Sequence, residues 1–168
     1  MSDGITVKQA AAADIPIIED ILLDALNWLD RTGKQMWIKS QITWGYLSTR
    51  FSIHDFSIAF MNDIPVGCMA LVDADPVYWR NIQKGESLFI HQLAVKRVGA
   101  GQGVSTALID YAKTQATLRG MGAVRLDCNQ SRKKLRELYE REGFVCVEEK
   151  LFFEQYYAAM YVWRNRSK

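Results

Sequence analysis

The chain has 168 residues, enough for one domain whose core buries roughly 70% of the unfolded surface without help from disulfides or metals. Apolar residues make up 49% and charged residues 24%, which excludes a disordered chain. Twenty-one Lys+Arg against nineteen Asp+Glu leave +2, which excludes a general nucleic-acid binder built on a dense basic face. No apolar run approaches the roughly 18 residues of a membrane span. The opening MSDGITVKQ lacks a charged segment followed by an apolar one, so neither an anchor nor a signal peptide is expected.

In chain order, residues 5–9 read as a first strand. Asp14 offers an N-cap with Pro16 in the first turn, and Ile18, Ile21, Leu22, Ala25 and Leu29 follow at helical spacing up to Gly33. Residues 34–50 hold a short aromatic-rich helix and its approach. Strands are predicted at 56–61 and 65–72 around an Asn62-Asp63 turn, and at 88–95, a run apolar on both faces. A glycine-rich turn at 98–103 opens a helix whose buried stripe is Val104, Ala107, Leu108, Tyr111, Ala112 and Leu118, ending at Gly120. A strand at 123–128, a helix at 132–142 and closing strands at 144–149 and 154–163 complete a single α/β domain over 1–168.

Cys68, Cys128 and Cys146 are odd in number, far apart and without CxxC spacing. They are expected as free thiols of a reducing cytoplasm, packed in apolar strands, with no metal site.

The segment Leu88 to Thr106 carries the chemistry. A strand enters a glycine-rich turn, and the first turn of the following helix leaves backbone N–H groups unpaired at its positive dipole end. That is either an anion site suited to a pyrophosphate or a plain strand-to-helix turn. A GxxxxGK[ST] loop is absent, and Gly101, Gly103 and Ser105-Thr106-Ala107 do not complete a dinucleotide-binding fingerprint.

Leu93-Ala94-Val95, then Ala100-Gly101-Gln102-Gly103-Val104-Ser105, then Leu138-Tyr139-Glu140 with Gly143-Phe144 resemble the GNAT superfamily of acyl-CoA N-acyltransferases. The resemblance is tight over 86–147. It implies a mixed, twisted sheet with helices on both faces, splayed between the fourth and fifth strands, and acetyl transfer from acetyl-CoA to a primary amine without a covalent enzyme intermediate. The implied acceptor is a small molecule, with a protein N-terminus or lysine, or CoA binding with little catalysis, as alternatives. No nucleic acid or membrane partner is expected, and a homodimer is left open.

By the same resemblance, Leu93, Ala94 and Val95 would bond the acetyl carbonyl and pantetheine arm, and Ala100, Gly101, Gln102, Gly103, Val104, Ser105 and Thr106 would hold the pyrophosphate. The family's usual Arg or Gln is Ala100 here, and its usual Gly or Ala is Ser105. Arg97 either replaces the missing cation or is a solvated loop residue. Tyr139 falls where many such enzymes protonate the departing thiolate. His91 alternates onto the face of Leu93 and Val95, where an imidazole would deprotonate the incoming ammonium; otherwise it is a buried structural histidine. Asn129 either bonds the pantetheine amides or caps the following helix. Trp28, Trp37, Trp44, Tyr46, Tyr78 and Trp79 either recognise an acceptor or pack the core, and Asp73 and Asp75 either attract a cation or sit in a turn.

Overall fold

A computed structural model describes residues 4–34 and 37–166. Strand order is β1-β2-β3-β4-β5-β7-β6, parallel at β4–β5 and antiparallel at β1–β2, β2–β3, β5–β7 and β6–β7. This is the α/β class with a mixed sheet that the sequence implies. Contacts gather into two compact units, Met1–Leu71 with His91–Tyr111, and Val72–Ile90 with Ala112–Lys168.

In the first unit, β1 (Ile5–Gln9), β2 (Phe56–Met61) and β3 (Ile64–Val72) form a meander. The β2–β3 turn holds Asn62 and Asp63 at φ of 52° and 65°, the left-handed geometry these residues tolerate best after glycine. Helix α1 (Ile15–Arg31) buries Ile18, Ile21, Leu22, Ala25, Leu26 and Leu29, the expected stripe with one addition. Asp14 works backwards: its carboxylate accepts from the Ala11 N–H at 2.8 Å. Trp44–Leu47 forms the short helix α2. Helix α3 (Val104–Leu118) starts in this unit. Its buried face includes Val104, Ala107, Leu108, Ile109, Ala112 and Ala116, while Leu118 is 74% exposed. Leu118, seven residues after Tyr111, keeps the phase of the stripe but is the last residue of the helix.

In the second unit, the start of β4 (Ser87–Val95) pairs with β5 (Ala123–Asn129) from Ser87↔Ala123 to Phe89↔Arg125. Strand β7 (Tyr156–Arg164) lies along β5, and β6 (Val145–Phe152) along β7. Trp79, Phe89, Phe152, Met160 and Val162 form its core. A guanidinium enters it: Arg125, 6% exposed, donates to Ser87 Oγ at 2.8 Å and Glu86 Oε2 at 3.3 Å and stacks over Trp79. Burial lowers its pKa and Glu86 opposes that shift, so removing Glu86 would strand a buried cation. Helix α4 (Lys133–Arg141) buries Tyr139.

Candidate functional site

The phosphate-loop candidates lie together in the first unit. A short 3-10 turn, Arg97–Gly99, precedes Ala100, and Gly101 and Gly103 adopt φ of 72° and 84°. An added Cβ would meet nothing within 4 Å at either glycine. Glycine is therefore required here by backbone conformation, and the space beside each Cα is open. Among the described residues, the N–H groups of Gly101, Gly103, Val104 and Ser105 donate to no protein carbonyl. Four unpaired donors at the N-terminus of a 15-residue helix suit an anion.

The loop is fastened to α1 by a stripe with i, i+4 spacing. Asp20 pairs with Lys96 Nζ at 2.7 Å, Asp24 accepts from the Arg97 N–H at 2.8 Å, and the Arg97 guanidinium lies 4.2 Å from the Trp28 ring centroid. Arg97 is exposed and stacks on that ring. Beneath the loop, Gly67 makes room for α3, since a Cβ there would stand 2.7 Å from Val104 Cγ1 and 3.1 Å from the Ala94 carbonyl oxygen.

Strand β4 departs from simple alternation. Gln92 has φ of 53°, a left-handed break that costs a non-glycine residue about 1 kcal/mol or more. Its carbonyl accepts a weak bond from Cys68 Sγ at 3.8 Å, and its Oε1 is buried without a hydrogen-bond partner among the described residues. The alternation expected to set His91 beside Leu93 and Val95 is interrupted between them. The His91 ring packs against Phe51, centroids 5.7 Å apart. Leu93 and Val95 are half-buried and Ala94 is buried.

Asn129 and Tyr139 belong to the second unit. Asn129 Oδ1 accepts from the Ser131 N–H at 3.0 Å and hydroxyl at 2.8 Å, so its carbonyl closes the turn before α4. Tyr139 is 5% exposed, with ring centroids 6.3 Å from Phe144 and 5.8 Å from Tyr161. Burial, reinforced by the nearby Cys128 and Asp127, pushes its phenol well above the usual range, so it is a protonated donor at every working pH. Arg132 precedes α4 with a buried Nη1 that has no hydrogen-bond partner among the described residues.

Other candidates are occupied structurally. Asp73 pairs with Lys84 at 2.6 Å, and Asp75 caps the Val77 and Tyr78 N–H groups. Trp44 packs on Phe56, and His54 is exposed. All three cysteines are free, though Cys146 is only half-buried. Burial pushes the Cys68 thiol up, and burial with the Asp127 charge pushes Cys128 up to about 12; neither is a nucleophile at neutral pH.

The sequence gives no sign of a group around Asp127. Tyr156 donates to Asp127 Oδ2 at 2.7 Å, and Tyr78 stands edge-on to Tyr156 and Phe152, with centroids 5.7 and 4.9 Å away. Asp127 sits in RLDC, a string that reads as one more strand.

An α/β chain with a mixed sheet and a glycine-turned, donor-rich helix start after a strand is the arrangement that the acyltransferase resemblance implies. The acetyltransferase (GNAT) family model matches residues 22–144, and the chain belongs to that family. It is 26% identical over 152 residues to the uncharacterized N-acetyltransferase YesJ of Bacillus subtilis, covering 86% of this chain and 83% of that one. It is 30% identical over 141 residues, 83% of this chain, to an uncharacterized N-acetyltransferase of Methanocaldococcus jannaschii, of which it spans 60%. The PaiA N-acetyltransferase of Thermoplasma acidophilum, solved in complex with coenzyme A, superposes with a TM-score of 0.75 at 14% identity, over 96% of this chain and 99% of that one.

Proposed function

We propose that this acetyltransferase moves the acetyl group of acetyl-CoA to the primary amine of a small molecule, by direct attack of the amine on the thioester. The observation that carries the reading is the row of unpaired N–H groups at Gly101, Gly103, Val104 and Ser105, in a loop whose two glycines adopt left-handed backbone. Those donors take the pyrophosphate; backbone groups of Leu93, Ala94 and Val95 align the acetyl carbonyl and pantetheine, with Asn129 contributing its amide N–H. Ala100 and Ser105 supply no positive charge, so the amides and helix dipole do the binding.

For the chemistry, a primary ammonium must first lose a proton. His91 takes it, directly or through a water. The free amine attacks the thioester carbon, the tetrahedral intermediate collapses, and the C–S bond breaks. Tyr139 gives the departing sulfur its proton, a role that suits a phenol whose burial keeps it protonated. The products are an N-acetyl amine and free CoA. The free thiols fit a reducing, cytoplasmic setting, and no helix among the described residues is long and apolar enough to cross a membrane.

Calorimetry with acetyl-CoA tests the reading. The parent binds, and Gly103→Glu, which sets bulk and negative charge among the donors, abolishes binding. Equal affinities would move the site elsewhere. A thiol-release screen of amines with the parent then separates an enzyme from a CoA-binding protein with little catalysis.

A further inference from the structure

The acetyl acceptor has no assigned residues, and the second unit offers a candidate around Asp127. Asp127 is half-buried on β5 and receives the Tyr156 hydroxyl at 2.7 Å. The Tyr78 ring stands edge to face with those of Tyr156 and Phe152, with Tyr78 and Tyr156 centroids 5.7 Å apart at 79° and Tyr78 and Phe152 4.9 Å apart at 81°. Phe153 extends this wall, 6.3 Å from Tyr78.

Packing alone explains the buried Phe152 but not Phe153, which is 64% exposed. Phe153 and Glu154 hold the β6–β7 turn at φ of 52° and 58°, a conformation that glycine or asparagine adopts more easily. A bulky aromatic kept strained and wet at a hairpin tip, edge-on to the half-buried Tyr78, presents an apolar face to solvent. Tyr156, which shares the Tyr78 ring contact, donates to the Asp127 carboxylate.

Resting on the acetyltransferase reading above, we infer that Asp127 with the rings of Tyr156, Tyr78 and Phe153 forms the acceptor site, which takes a primary ammonium carried on a flat apolar body. The carboxylate receives the ammonium through charge-assisted hydrogen bonds, and the rings supply cation–π attraction and a surface for the body. The Asp127 charge is one of the groups that raise the Tyr139 phenol. Polyamines fit poorly: Lys150 Nζ already sits 5.2 Å from the Phe152 ring centroid and repels a second cation farther out.

The test is calorimetric titration of 2-phenylethylamine into the CoA-saturated full chain, with 2-phenylethanol as the uncharged isostere and spermidine as the polycation. The amine binds, the alcohol does not, and spermidine binds more weakly. Asp127→Asn keeps an acceptor for the Tyr156 hydroxyl and weakens the amine by about tenfold or more. Phe153→Ala, at an exposed tip where folding is not at stake, weakens 2-phenylethylamine and leaves methylamine unaffected. Equal affinity in parent and Asp127→Asn, an alcohol that binds as well as the amine, or spermidine binding more tightly overturns the site. Transfer assays keep this apart from the parent reading. If acetyl transfer proceeds with the same KM for 2-phenylethylamine in Asp127→Asn, the site falls and the acetyltransferase stands. If no amine releases thiol, the enzyme reading falls, while the titration still decides the site.

Discussion

Replacing Tyr139 by phenylalanine removes one oxygen from a ring that is 5% exposed and leaves its packing on Phe144 and Tyr161 in place. No hydrogen bond to that hydroxyl is made among the described residues, so no partner is orphaned. Leaving a buried partner unsatisfied would cost about 1–3 kcal/mol; without one, the expected change is below about 1 kcal/mol. At this chain length 1 kcal/mol moves Tm by about 2–4 °C, so the melting temperature should hold within a few degrees. The chemical step should respond very differently. Losing a positioned general acid is worth about 10²–10⁴-fold, or roughly 3–5 kcal/mol of barrier. Thiol release at saturating acetyl-CoA should therefore fall by that factor with KM for acetyl-CoA unchanged. An unchanged kcat returns Tyr139 to the core, and a rate loss that tracks a fall in Tm beyond several degrees refutes the separation of packing from chemistry.

Gly67→Ala pushes a Cβ to 2.7 Å from Val104 Cγ1, so overpacking should cost about 1–3 kcal/mol and weaken acetyl-CoA by displacing the start of α3; denaturant midpoints and calorimetry read the two effects. His91→Gln should lower kcat/KM for the amine while leaving acetyl-CoA binding intact, and an unchanged kcat/KM makes His91 structural. Alkali should destabilise the fold. Burial raises Tyr139, Tyr156, Tyr161 and Cys128 above their unfolded values. The unfolded chain therefore releases those protons first, and stability is full below the unfolded pKa values, about 8.5 for Cys and 10 for Tyr, and falls as pH rises through them. A flat urea midpoint from pH 8 to 11 would contradict that.

The element order was legible because hydrophobic period and turn chemistry agreed along most of the chain: Ile18 to Leu29 repeats at helical spacing, and Asn62-Asp63 closes its hairpin. The glycines at 101 and 103 announced the loop for the same local reason. Pairings between distant residues were hidden. Arg97 stacking on Trp28 joins positions 69 apart in the chain, and no local pattern encodes that. The break at Gln92 was invisible because glutamine is not a residue that signals left-handed backbone, and so alternation was carried through it. Asp127 was missed because a single carboxylate in an apolar strand looks the same whether it anchors a tyrosine or a ligand. Leu118 keeps the phase of its helix's buried stripe and is exposed all the same, because phase does not say where along a helix burial stops.

The donors at Gly101, Gly103, Val104 and Ser105 are main-chain groups, and main-chain groups are not subject to replacement one side chain at a time. Apart from the two glycines, whose φ is constrained, the loop is open to drift: any residue but proline brings the same amide. On the proposed reading, a lineage can thus exchange a cation for Ala100, or a small residue for Ser105, and keep a phosphate grip, while the visible signature erodes. Salt should register the same fact, since amide dipoles release few counterions. Acetyl-CoA affinity in this chain should decline less steeply with ionic strength than in a relative that grips the same phosphates with arginine.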